Sequence, residues 1–158
     1  MAKVKTNAIR ILDAKKIAYE VLTYENQDGK IDGVSVAGKI GKDPKEVYKT
    51  LVAQGASKQI YVYVIPVEAE LDLKKGAKAA GEKKIEMIPV KDILKWTGYI
   101  RGGCSPIGMK KDYKTFIDKS CLELEQMVVS AGKIGVQIVV DPEVLVHLTK
   151  AETPDVRK

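Results

Sequence analysis

Residues 97–111, TGYIRGGCSPIGMKK, place four glycines, one proline and three cations within fifteen positions. Glycine admits positive φ and close approach of backbone to a ligand, while Pro106 fixes its own φ and pushes Ser105 toward an extended conformation. A loop shaped this way can turn several of its amides toward one point, which binds an anion or stabilises an oxyanion developing at a carbonyl. The same residues also serve as turn punctuation in a long hairpin, and local chemistry leaves both readings open. A second candidate is Lys49. In VYKTLV, residues 47–52, strand alternation sets Tyr48, Thr50 and Val52 on one face and Val47, Lys49 and Leu51 on the other. An ammonium between two apolar neighbours is costly unless it meets an anion or lines a cavity. The alternative is an edge strand with a solvated outer face.

Other chemistries have few residues to draw on. The one histidine, His147, falls in PEVLVHL, where an amphipathic final helix accounts for it, and nothing local orients it toward Cys104 or Ser105 as the base of a triad. Cys104 and Cys121 have no CxxC or Cys/His spacing, so neither a zinc site nor a disulfide framework is expected, and both read as reduced thiols. Cys104 near Arg101 and Lys110 has the setting of an activated nucleophile, but a small side chain in a tight loop explains it as well. Asp141 and Glu143, on either side of Pro142, read as charges at a helix start. Without a Walker loop, a GxGxxG after a strand or an HExxH, no cofactor and no metal are expected.

The elements that must position these residues belong to one domain, 1–158, because 158 residues with 45% apolar and 30% charged composition suffice for a single core. The N-terminus lacks an apolar signal region and no apolar run approaches a membrane span, so a cytoplasmic protein is expected. The net charge is +6, and the excess is lysine, in clusters at 42/45/49, 74/75/78, 83/84 and 110/111/114. Mobile ammonium groups suit a polyanion held by its phosphates, although solubility alone also favours a basic surface. Thr6 or Asn7 should cap a helix to about Lys16, with a strand at 18–24 and a short helix capped by Ser35. Further expectations are strands at 47–52 and 60–67, a helix at 72–80 closed by Gly81, a strand at 85–88 and a helix at 90–96. A strand at 115–117, a turn of helix capped by Ser120, a hairpin with strands 126–130 and 135–140, and a final helix from Pro142 complete the order. Helices and strands intermix without a βαβ repeat, which predicts a mixed α/β (α+β) domain, and residues 151–158 should fray.

Four segments in order, VYKTLV at 47–52, ELDLKK at 70–75, TGYIRGGCSP at 97–106 and VSAGK at 129–133, together resemble the free-standing aminoacyl-tRNA deacylases of the Cys-tRNA(Pro) deacylase type. These are related to the editing domain of bacterial prolyl-tRNA synthetase, and the resemblance extends from about residue 9 to 147. It implies a curved, barrel-like mixed sheet surrounded by helices and cleavage of mischarged tRNA at its acceptor end, with prolyl-tRNA synthetase as a candidate partner. Carried onto this sequence, the catalytic positions are Lys49, Gly102 and Gly103, and the substrate-binding positions are Tyr24, Thr50, Ser105, Pro106 and Ser130. Where some members place an aromatic residue before the glycine matching Gly33, this chain has Ile31 and Asp32, which leaves selectivity open. The family chemistry the resemblance implies needs no histidine: the thiol of a misattached cysteine attacks its own ester carbonyl, or a positioned water does so for another acyl group such as alanine. The alternatives beside a Cys-tRNA(Pro) deacylase are therefore an alanine-specific deacylase, a non-catalytic tRNA-binding module and a hydrolase using Cys104.

Overall fold

The side-chain oxygen of Thr6 accepts the N–H of Ile9 at 3.1 Å, and α1 (Asn7–Ala14) follows with Ala8, Ile9 and Leu12 buried on one stripe. The computed structural model describes residues 5–158; residues 1–4, part of the N-terminal segment read above, lie outside it. β3 (Ile60–Pro66) is buried at every position. Val62 and Val64 face the main core, while Tyr61, Tyr63 and Ile65 pack with Ala77 of α3 (Leu73–Ala80) on the other side. That two-sided burial is why its sequence is a continuous apolar run instead of an alternation.

β2 (Tyr48–Gly55) runs antiparallel to β3, with Lys49 opposite Ile65 and Thr50 opposite Val64. β4 (Ile85–Met87) joins the other edge of β2, and β5 (Lys114–Ile117) lies parallel to β3, completing a sheet of order β4-β2-β3-β5. The second sheet has the order β1-β7-β6, from β1 (Glu20–Thr23), β6 (Met127–Lys133) and β7 (Val136–Val140). Tyr48, Val62, Val64 and Ile117 meet Val129, Ala131 and Ile138 in the core between the two, closed at the ends by α1 and by Leu145 of α5 (Pro142–Thr149). The mixed α/β class is as expected, but the barrel-like sheet is not one closed ladder. The sheets meet at a seam where Val47 and Val128 form an isolated parallel bridge, the N–H of Val128 donating to the Glu46 carbonyl at 2.9 Å. Among the described residues no ladder joins the outer edges at β1, β4 and β5.

Local differences have local causes. Asp32, not Ser35, caps α2 (Gly33–Lys39), its carboxylate accepting the N–H of Ser35 at 3.1 Å. Two good cap residues three positions apart are indistinguishable by type alone. Asp118 likewise displaces Ser120 as cap, and the turn that follows, Lys119–Glu123, is a 3-10 helix. The helix expected at 90–96 divides into a 3-10 turn, Val90–Asp92, and α4 (Ile93–Thr97), which ends on Gly98 at φ +85°. In the hairpin, β6 continues through Ala131, Gly132 and Lys133, and a bulge between Ser130 and Lys133 absorbs the shift in register.

The tail at 151–158 does not fray. Val156 is fully buried against Phe116 and Leu71, and its N–H donates to Asp118 at 3.0 Å. The Arg157 guanidinium stands 2.9 Å from the same buried carboxylate. A buried acid that needs partners thus fastens the C-terminus, a constraint that polar composition conceals. Among the described residues, no helix is long and apolar enough to cross a membrane.

Candidate active site

At the seam between the sheets lies a cavity of about 100 Å³ lined by Tyr24, Lys49, Thr50, Gly102 and Ser130, five of the eight positions singled out in the sequence. Tyr24 follows β1, Lys49 and Thr50 open β2, Ser130 sits at the bulge of β6, and Gly102 comes from the glycine loop. Val36, Val47 and Val67 supply apolar wall beneath them. The Ser130 hydroxyl accepts the N–H of Gly132 at 3.1 Å, so the bulge fixes its direction. Tyr24 lies under the Lys39 ammonium, 5.7 Å from the ring centroid. Lys39 is itself held by Asp28 at 2.8 Å and by the carbonyls of Glu25 and Lys30 at 2.7 and 3.0 Å, which ties the loop after β1 to α2.

Two oxygens in this cavity stand out. Tyr24 Oη and Thr50 Oγ1 are both buried and neither has a hydrogen-bond partner among the described residues. A buried hydroxyl left unpaired costs about 1–3 kcal/mol, so two in one small cavity mark a place where a polar ligand would be held. Lys49 is half-buried and its ammonium makes no hydrogen bond or ion pair to another described residue. Burial lowers its pKa below the ordinary lysine range, partly opposed by the Glu70 carboxylate. An unpaired ammonium here favours a group that carries or gains negative charge.

The glycine loop contributes less uniformly than its sequence suggests. Gly102 has φ +84°, its N–H is without a partner among the described residues, and a Cβ there would come within 2.9 Å of Ile31 Cδ1. Ile31, which with Asp32 stands where some members of the resembled family place an aromatic residue, therefore lines the cavity beside Gly102, while Asp32 caps α2. The amide of Gly103 is not available to a ligand: it donates to the Ile100 carbonyl at 3.0 Å and closes a turn. Gly103 serves close approach instead, since a Cβ would stand 2.9 Å from the Ile134 nitrogen and 3.1 Å from the Lys133 backbone. Ser105 and Pro106 are not brought to the cavity. Ser105 is fully buried with its hydroxyl accepting the N–H of Ile107 at 3.2 Å, and Pro106 faces a separate cleft.

Cys104 reaches the cavity wall, yet burial pushes its thiol up to about 11, which leaves almost no thiolate at neutral pH. His147 is exposed on α5 and lines other surface clefts. Among the described residues, no group of three or more His, Cys, Asp or Glu side chains is gathered as a metal site. The residue that sequence reasoning missed is Gln137. It is 6% exposed, lines the cavity from β7 opposite Ser130, and its carboxamide has no hydrogen bond to another described residue. The signal was there, since Gln137 is the single polar position in VQIVV, a strand buried throughout.

The family described as Aminoacyl-tRNA editing domain matches this sequence over residues 33–148. A protein of Enterococcus faecalis provisionally named Cys-tRNA(Pro)/Cys-tRNA(Cys) deacylase EbsC is 42% identical over 152 residues, covering 96% of this chain and 93% of that one. The crystal structure of the hypothetical protein APE2540 superposes with a TM-score of 0.87 at 21% identity, covering 97% of this chain and 100% of that one. A structure titled as a provisional trans-editing enzyme for prolyl tRNA synthetase superposes at 0.83 with 19% identity, covering 99% of each chain. At those two identities the likeness is one of fold.

Proposed function

The chain belongs to the aminoacyl-tRNA editing domain family, and we propose that it is a trans-acting deacylase that clears cysteine misattached to tRNA(Pro), with prolyl-tRNA synthetase as the source of that substrate. The observation that supports this reading is the small cavity lined by Lys49, Gly102, Tyr24 and Thr50, whose ammonium, amide and two hydroxyls have no partner among the described residues. At about 100 Å³ it is smaller than the roughly 150 Å³ cavity that accepts benzene, so it favours a short acyl side chain. The substrate name carried by the relative from Enterococcus faecalis supports cysteine over other small residues.

In this mechanism the protein orients and stabilises, and the substrate supplies the nucleophile. The cysteine sulfur attacks its own ester carbonyl, the S–C bond forms as the bond to the ribose oxygen breaks, and the thiol proton passes to the departing hydroxyl. The products are tRNA with a free 3′ end and a strained cyclic thioester that water opens. The Gly102 N–H and the Lys49 ammonium stabilise charge on the ester oxygens, while the Tyr24, Thr50 and Ser130 hydroxyls and the Gln137 amide hold the aminoacyl group in the attacking geometry. No side chain has to act as a base, in keeping with the absence of histidine from the cavity.

The test is deacylation of Cys-tRNA(Pro), Ala-tRNA(Pro) and Pro-tRNA(Pro) by excess enzyme in parallel. Selective loss of cysteine is the expected result. Faster loss of alanine would replace the thiol mechanism by a positioned water, and no cleavage of any ester would leave a binding module.

A further inference from the structure

The same glycine loop bounds a second cavity, of about 480 Å³, whose other walls are α1 and the C-terminal turn of α5. Its charged side chains are Lys15, Lys111, Lys114 and Lys150 against Asp112 alone. Lys114 stands 3.5 Å from Glu152, whereas Lys15, Lys111 and Lys150 have no acidic partner among the described residues and are exposed. They come from three segments far apart in sequence, so the fold assembles a cationic cleft that only the 110/111/114 cluster foreshadowed.

The frame of this cleft is fixed. Asn7 at the start of α1 donates to the Gly108 carbonyl at 2.7 Å, and Tyr99 Oη donates to the Ile107 carbonyl at 2.7 Å. Tyr113, half-buried in the wall, is held by its hydroxyl on the Trp96 carbonyl at 2.6 Å, leaving a ring of set orientation. Mobile ammonium groups beside a fixed aromatic ring are the components that hold a single-stranded polynucleotide, phosphates on the lysines and a base on the ring.

Position gives the occupant. Gly102 lines the active-site cavity and Pro106 lines the cleft, and four residues of chain cannot separate them by more than about 14 Å. An RNA strand whose terminal ester enters the first cavity has its preceding nucleotides within reach of the second. We propose that the cleft binds the phosphodiester backbone of the nucleotides next to the esterified one, with Lys15, Lys111 and Lys150 as phosphate contacts and Tyr113 as a stacking surface. This rests on the reading of the chain as a deacylase of aminoacyl-tRNA.

The experiment measures binding of an uncharged tRNA(Pro) transcript across a salt series, so it does not depend on ester cleavage. Lys15→Gln/Lys111→Gln is compared with Lys83→Gln/Lys84→Gln, which removes the same charge from a site outside the cleft. At about 0.7 per single-stranded phosphate contact, the cleft pair lowers the slope of log K against log salt by about 1.4. The control pair leaves that slope as in wild type, and Lys15→Arg/Lys111→Arg retains it. An equal fall in the control pair would reduce the effect to general charge, and an unchanged slope in the cleft pair would remove the contacts; either result overturns the proposal. If the wild type cleaves no ester, the deacylase reading fails by itself while the slope comparison still decides the cleft.

Discussion

Gly103→Ala tests whether this glycine works by close approach or by donating its amide. Its N–H already closes the turn onto Ile100, so an alanine changes no donor available to substrate. The added Cβ would stand 2.9 Å from the Ile134 nitrogen and 3.1 Å from Lys133 backbone atoms, and backbone of the β6–β7 hairpin cannot rotate aside as a side-chain tip can. The loop must retreat from the hairpin by several tenths of an ångström. Overpacking of this kind costs about 1–3 kcal/mol, which lowers the melting temperature of a domain this size by about 2–12 °C. Because Gly102 moves with its neighbour, its position in the cavity wall shifts, and the rate falls, with about a hundredfold as the limit for a misplacement of 1 Å. Gly41→Ala is the control. Gly41 has φ +70° with nothing near a Cβ, so alanine there meets only the left-handed backbone cost of about 1–2 kcal/mol and leaves cleavage intact. Thermal unfolding and deacylation of Cys-tRNA(Pro) by excess enzyme are the assays. Wild-type rate and melting temperature in Gly103→Ala would refute the close-approach argument, as would an equal rate loss in Gly41→Ala.

Three further outcomes follow from the same structure. Cys104→Ala stays active, because a thiol pushed up to about 11 by burial is about one part in ten thousand thiolate at pH 7; loss of turnover to background would restore the cysteine-hydrolase reading. Truncation after Lys150 strips the buried Asp118 of Arg157 and of the Val156 N–H, and should cost at least about 3 kcal/mol, seen as a fall in the denaturation midpoint without a change in m. Lys49 has its pKa lowered by burial, so an ammonium required for cleavage is present below that folded pKa and lost as pH rises through it. The alkaline limb of kcat/KM, corrected for spontaneous hydrolysis, therefore begins below the ordinary 10.5; Lys49→Arg, which stays charged, removes that limb, and a limb unmoved in Lys49→Arg would assign it to another group.

How far the sequence was legible varies with the kind of interaction. Some helix starts could be placed from local chemistry, the first to within one residue between Thr6 and Asn7 and the last from Pro142 at the first helical position. Asp32 against Ser35 and Asp118 against Ser120 could not, since both members of each pair have the right chemistry and tertiary packing chooses. Of the site, Lys49 carries a local signal, a charge among apolar residues, while Gly102 was singled out within its glycine-rich loop by resemblance. Tyr24, Thr50 and Ser130 came by resemblance, and their convergence depends on the seam at Val47 and Val128, a long-range pairing with no local signature. Gly103 and Ser105 share the composition of the loop but face its packing side, and Pro106 lines the separate cleft. Composition identifies a loop built for close contacts without saying which residues turn toward the ligand.

Whether the cavity around Lys49 cleaves a cysteinyl ester is decided by the first-turnover rate of Cys-tRNA(Pro) loss by wild type and by Lys49→Ala, both verified as folded by their melting curves. Rapid loss with the wild type and a fall of at least about a hundredfold in the variant, comparable to removing one oxyanion donor, is the predicted result. Equal rates in the two proteins would contradict the assignment and move the chemistry to another part of the molecule.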